Sequence, residues 1–144
     1  MKTLAKRKAS PIVRAALALD EEALNWSVTV RPDEAAELAG ALGGYNEATP
    51  ERLAGIIASV DDLIPRKDYG QGNPNTGGMH HEYRIGREYS RVLYVQVVKT
   101  YLPDGFDLAA LGVRIKEIAK DHRADEAWVT KDTPHDFEFR IWFD

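Results

Sequence analysis

The sequence predicts one α+β domain with a mainly antiparallel sheet of about five strands. The clearest indication is strict alternation of apolar and polar residues at the C-terminus, which is typical of a half-buried strand. The apolar positions there are Phe137, Phe139, Ile141 and Phe143. The same alternation recurs at residues 26–30, 83–85 and 93–97, whereas residues 53–64 repeat their apolar side chains at helical spacing. A chain of 144 residues is long enough for one domain with a core and too short for two of ordinary size.

Three helices and one strand are predicted in the N-terminal half. Their ranges are 11–24, 32–42 and 50–64 for the helices and 25–31 for the strand. Ser10 with Pro11, and Thr49 with Pro50, each supply a capping side chain followed by a proline at the first helical position. Gly43 marks the end of the middle helix.

The C-terminal half begins with a segment that has little to bury. Residues 65–79 are rich in glycine, asparagine and proline, so we expect a long surface loop. A hairpin over 80–87 and 91–102 follows, with its turn near 88–90. A helix carrying Leu111 and Ile115 on its inner side comes next, and a final hairpin is formed by residues 125–131 and 136–143.

Apart from the first helix, the order of elements is similar to the split βαββαβ order of ferredoxin-like domains, with one additional C-terminal strand. Such an arrangement implies helices on one face of the sheet and an uncovered second face. We therefore expect a flexible basic arm at residues 1–9 and a single domain over residues 10–144 that carries the loop at 65–79.

The uncovered face is the leading candidate for a binding site. Pairing Ile85 with Leu93 turns polar and aromatic side chains of the central hairpin and of the last strand away from the helices. These side chains are Arg84, Tyr94, Gln96, Arg140 and Trp142. Tyrosine, tryptophan and arginine dominate the contact energy of many protein interfaces. An alternative is that the two arginines pair with Glu82 and Glu138 across the strands.

An enzymatic alternative uses His80 and Glu82, which share one side of a strand beside the loop. His80 would act as a general base or metal ligand, and Arg84 would hold an anionic substrate. A metal site would also need His122 or His135, the only other histidines apart from His81. The sequence contains no phosphate-binding loop and no nucleophile elbow. It therefore predicts no catalytic residue outside this alternative and no cofactor.

Charge and composition limit the remaining function classes. The absence of cysteine excludes disulfides and cysteine-ligated metals. Five of the 19 basic residues precede the first acidic residue, Asp20, so a basic arm on an acidic body could contact nucleic acid, with Tyr94 stacking on a base. No apolar run is long enough for a membrane helix, and we expect a soluble cytoplasmic protein.

Taken together, these features favour a non-enzymatic binding or regulatory protein. It would contact a macromolecular partner, above all a protein, through the uncovered sheet face and the loop at 65–79. Homodimers could form through the same face or by edge pairing of the C-terminal strand.

Overall fold

The computed structural model describes residues 10–20, 28–65 and 81–144. Within these ranges it contains four α-helices and a four-stranded antiparallel sheet, so the α+β class is confirmed. The helices are α1 (Pro11–Leu17), α2 (Pro32–Leu42), α3 (Pro50–Leu63) and α4 (Leu108–Asp121). The strands are β1 (His81–Glu88), β2 (Ser90–Val98), β3 (Glu126–Asp132) and β4 (Asp136–Trp142). The predicted basic arm, residues 66–79 of the predicted loop, and His80 lie outside the described residues.

Capping side chains start the helices where the sequence predicts. The hydroxyl of Ser10 accepts a hydrogen bond from the Val13 amide, and Thr49 caps α3 in the same way.

α1 ends at Leu17 rather than near residue 24, and residues 21–24 lie outside the described ranges. Leu17 and Leu19 are 41% and 40% exposed, so neither side chain is buried in the core. A short helix needs such packing to be stable, which explains why α1 ends at this point. No helix within the described ranges is long and apolar enough to span a bilayer.

The predicted ferredoxin-like order and the fifth strand are wrong. In the described part of the chain the strand order is β1-β2-β4-β3. Val30, from the predicted first strand, forms only an isolated antiparallel bridge to Tyr83, with two N–O distances of 2.8 Å. A ferredoxin-like sheet needs its first strand in an inner position. Here β4 fills that position by pairing with β2 on one side and β3 on the other, so Val30 is left at the outer side of β1.

The C-terminal strand is therefore an interior strand. Its pairing with both β2 and β3 excludes the edge pairing of this strand that the sequence analysis allowed for. The exposed edge at this end of the described sheet belongs to β3 instead. This change moves the position at which another chain could add to the sheet.

The core lies between the helices and one face of the sheet. All four helices contribute buried side chains to it, together with the odd-numbered positions of β1, β2 and β4. Phe137, Phe139, Ile141 and Phe143 are each no more than 4% exposed, which confirms the predicted alternation. The predicted pairing of Ile85 with Leu93 is also confirmed.

A close approach between α3 and the end of α4 depends on Gly55. A Cβ atom at this position would lie 2.6 Å from Nε2 of His122, whose Nδ1 is 2.9 Å from the carbonyl oxygen of Ile118. We expect Gly55→Ala to lower the free energy of unfolding by about 1 kcal/mol, although alanine is normally the better helix former. Urea unfolding measures this change.

Gly40 in α2 is the matched control. It is exposed, and apart from the neighbouring backbone of its own helix no described atom lies within 4 Å of the position that a Cβ would occupy, so Gly40→Ala should raise the free energy of unfolding by about 0.5–1 kcal/mol. Adding His122→Ala to Gly55→Ala should recover part of the loss. A gain of similar size from both alanine substitutions would contradict the packing described for Gly55.

Candidate functional site

One line of side chains crosses all four strands on the face away from the core. The strand register places Arg84, Tyr94, Arg140 and Trp128 directly beside one another. The Arg84 guanidinium lies 4.5 Å from the centre of the Tyr94 ring, and that of Arg140 lies 5.2 Å from the Trp128 ring. These are cation–π distances. We call these four residues the cross-sheet row. Arg84, Tyr94 and Arg140 were predicted from the sequence to share this face, whereas Trp128 was not.

Arg84 is held in place by a largely buried ion pair. Its Nη2 donates to Oε2 of Glu138 at 2.8 Å, and the two side chains are 14% and 8% exposed. Thr130 also donates a hydrogen bond to the Glu138 carboxylate, at 3.0 Å. The alternative interpretation paired the two arginines with Glu82 and Glu138. Of these pairs the structure contains Arg84–Glu138, whereas Arg140 pairs with other acidic residues.

Glu88 organises the other end of the same face. One carboxylate oxygen accepts from Arg140 Nε at 2.8 Å, and the other accepts from the Tyr94 hydroxyl at 2.7 Å. The Trp142 indole N–H donates to the Glu88 carbonyl at 2.8 Å. Arg140 also donates to Glu126, at 3.1 Å. Arg140 thus pairs with Glu88 and Glu126, and Trp142 is half-buried. Glu88, which precedes the hairpin turn, was not among the site residues predicted from the sequence.

The enzymatic alternative is not tested by the structure, because His80, its proposed base or metal ligand, lies outside the described residues. Glu82 is half-buried opposite Gln96. His122 packs against α3, whereas His135 is exposed at the final turn. No group of three or more histidine, cysteine or acidic residues among the described residues is placed to hold a metal ion.

His81 is a buried histidine between the sheet and α3. It has no exposed surface, and its Nε2 lies 3.3 Å from Oδ1 of Asp61 in α3. Its ring meets the Tyr83 ring edge-on with 5.4 Å between centroids. His81 therefore belongs to the packing between β1 and α3, on the opposite face from the cross-sheet row.

Tyr94 is 6% exposed beneath Arg84, so a base could stack on it only after the guanidinium moved. Burial raises the pKa of Tyr94 to about 12, and the hydrogen bond and charge of Glu88 act in the same direction, while Arg140 lowers the pKa. The ordinary pKa of tyrosine is near 10. The Tyr94 hydroxyl is therefore protonated in the folded protein at neutral pH.

This pKa predicts a loss of stability at alkaline pH. Between about pH 10 and pH 12 the unfolded chain loses the Tyr94 proton while the folded protein keeps it, so the free energy of unfolding falls as pH rises. Tyr94→Phe should make this fall shallower, as urea unfolding at several pH values would show. Burial also raises the pKa of Tyr83, so part of the fall should remain. An unchanged slope in the Tyr94→Phe variant would contradict the assignment.

A groove lies on the core side of the sheet between α4 and β3. It encloses about 410 Å³ and is lined mainly by apolar side chains. Phe137 and Phe139 line it from β4, and Val113 and Val129 line it from α4 and β3. Gly112 contributes no side chain here; a Cβ would contact both phenylalanine rings at 3.8 and 3.9 Å. The absence of that Cβ keeps the groove open.

Large apolar side chains are exposed where this groove meets the outer edge of β3. Trp128 is 47% exposed, Val129 44% and Val113 62%. Within the described chain β3 pairs with β4 alone, and its register shifts between Val129 and Lys131. Residues 126–129 thus form the regular part of an edge strand, with apolar surface on both of its faces. We call Val113, Trp128 and Val129, with the groove between α4 and β3, the β3 edge site.

The β3 edge site and the cross-sheet row meet at Trp128, which belongs to both. On one side of Trp128 lie arginine and glutamate side chains that are held in ion pairs with one another. On the other side lies the open apolar groove. Comparisons with protein-family models, with curated proteins and with solved structures found no significant match.

Proposed function

We propose that the protein is a binding module that recognises another protein by adding an extended segment of that partner to the outer edge of β3. The observation that carries this proposal is the exposure of Trp128 and Val129 on an edge strand that borders an apolar groove. Edge strands offer unpaired backbone groups to an incoming chain, and side-chain pockets beside them provide specificity.

An added strand would present its side chains alternately to the two faces of the sheet. Side chains on the core side would enter the groove above Phe137 and Phe139, where apolar groups are favoured. Side chains on the other side would lie next to Trp128 and Arg140. Of the contact residues proposed from the sequence, Arg84, Tyr94 and Arg140 remain part of this proposal, because the cross-sheet row connects them to Trp128.

The side chains around Trp128 support tight binding because their contacts with one another already hold them in place. Arg140 is held by two carboxylates and lies near two indole rings, at 5.2 Å from Trp128 and 5.9 Å from Trp142. A partner would therefore lose little affinity to the ordering of these side chains. The register shift after Val129 limits regular pairing to a short stretch. Side chains in the groove must then supply much of the binding energy.

Peptides selected from a random linear library displayed on phage provide the probe for this proposal. Binding of the selected peptides should weaken at least about tenfold, or about 1.4 kcal/mol, in Trp128→Ala and in Val113→Asp, because both changes remove apolar contact area at the β3 edge site. Fluorescence anisotropy with labelled peptides measures the affinities. Circular dichroism establishes that the variants remain folded.

Two exposed apolar residues away from β3 serve as controls. Tyr89 is 94% exposed at the turn between β1 and β2, and Leu17 is 41% exposed at the end of α1. Tyr89→Ala and Leu17→Ala should leave the affinity unchanged. Peptides that bind Trp128→Ala and Val113→Asp as well as they bind the unaltered protein would refute the β3 edge site.

A further inference from the structure

The charges along β3 are unevenly neutralised. Its two acidic residues near the strand ends are both in ion pairs, Glu126 with Arg140 and Asp132 with Lys99. Lys131, the single basic residue of β3, is exposed and has no ion-pair partner among the described residues. Among the described residues, Lys131 is therefore the one charged side chain of β3 that forms no ion pair within the protein and could pair with a residue of an added strand.

A second lysine that forms no ion pair with a described residue lies across the groove. Lys116 of α4 lines the groove, is exposed, and makes no ion pair with any described residue. Lys131 lies in register with Glu138, on the face of the cross-sheet row. The Glu138 carboxylate is engaged by Arg84 and Thr130. An added strand would present side chains to both faces of the sheet. Lys131 lies on the face of the cross-sheet row, and Lys116 lies at the groove on the opposite face.

From this arrangement we infer that the partner segment is acidic: an extended peptide with apolar side chains toward the groove and aspartate or glutamate beside Lys131 and Lys116. This inference rests on the proposed function. Opposite charges on neighbouring strands stabilise the pairing, whereas a lysine on an edge strand discourages the addition of neutral or basic strands. The same two charges would therefore both attract an acidic segment and reject other extended chains.

The expected contribution of each lysine is modest because both side chains are exposed. Exposed ion pairs change affinity by about two- to fivefold each, and salt weakens them. Binding of an acidic segment should therefore weaken as ionic strength rises. Apolar contacts in the groove should persist at high salt.

The test compares two phage selections with the same random peptide library. One uses the unaltered protein, and the other uses the double variant Lys116→Glu/Lys131→Glu. We expect the first selection to enrich acidic peptides and the second to lose that preference. Lys120→Glu is the matched control, because Lys120 is exposed on the same helix but does not line the groove; it should leave the preference unchanged. A salt titration of the unaltered protein with the selected acidic peptides should show weakening affinity and requires no variant.

The outcomes separate this inference from the proposed function. If the selected peptides lose affinity in Trp128→Ala but show no acidic preference, the acidic partner is refuted while the β3 edge site stands. If no selected peptide depends on Trp128, both are refuted. A stable dimer in sedimentation analysis that Val129→Lys dissociates would make a second copy the occupant of the edge, and would also overturn the acidic partner.

Discussion

Phe139→Asp is expected to lower the free energy of unfolding by about 4 kcal/mol or more, because it places a carboxylate where a large apolar side chain is buried. Phe139 is 2% exposed and belongs to the core beneath the helices. It also lies in an interior strand that pairs on both sides, so relaxation toward solvent is restricted. Chemical denaturation measured by fluorescence or circular dichroism gives the change.

Val129 provides the matched control for this substitution. It is the direct cross-strand neighbour of Phe139, but it is 44% exposed at the sheet edge. Val129→Asp should therefore cost less than about 1 kcal/mol. Equal losses for the two variants, or an unchanged cooperative transition for Phe139→Asp, would be incompatible with the described core.

Glu138→Ala should produce the second largest loss of stability, about 3 kcal/mol, because it removes the carboxylate that compensates a largely buried guanidinium. The Arg84–Glu138 pair is separated by 2.8 Å, and both side chains are at most 14% exposed. Removing one partner leaves the other charge poorly solvated. Equilibrium urea unfolding at neutral pH measures the loss.

Two comparisons sharpen this expectation. Glu117 pairs with Arg114 on the exposed side of α4, where both side chains are more than half exposed, so Glu117→Ala should cost no more than about 0.5 kcal/mol. The double variant Arg84→Met/Glu138→Leu should recover much of the stability, because it removes both charges. Similar losses for Glu138→Ala and Glu117→Ala would mean that the Arg84–Glu138 pair is not held away from water.

The sequence predicted the faces of the strands because alternation is a local property. Phe137 to Phe143 showed which side chains enter the core, and the pairing of Ile85 with Leu93 followed from matching the same pattern in a hairpin. Helix starts were equally local, since a capping residue and a proline define them at Ser10 and Thr49. These features need no knowledge of distant contacts.

Strand order could not be obtained in this way. Both β2 and β4 are alternating strands, and nothing local shows that they pair with each other across the intervening α4 and β3. That single long-range pairing displaced the residues near Val30 from the sheet interior. It also moved the exposed edge from the C-terminal strand to β3.

Only some residues of the candidate site could be predicted from the sequence. Arg84, Tyr94 and Arg140 were placed on one face from alternation, and the described sheet brings them side by side. Trp128 was missed although the final hairpin was predicted, because most of β3 is exposed and its register shifts between Val129 and Lys131, so local alternation does not show which face Trp128 occupies. Glu88 was missed because its role as an acceptor for Arg140 and Tyr94 depends on side-chain directions at the end of the sheet.

Amide hydrogen exchange with and without a selected peptide is the most direct test of strand addition at β3. The outward backbone amides of residues 126–129 should exchange rapidly in the free protein and become protected in the complex, because they then donate hydrogen bonds to the added strand. Protection of these amides would support β3 as the docking edge. Binding that leaves their exchange unchanged and protects another surface would contradict it.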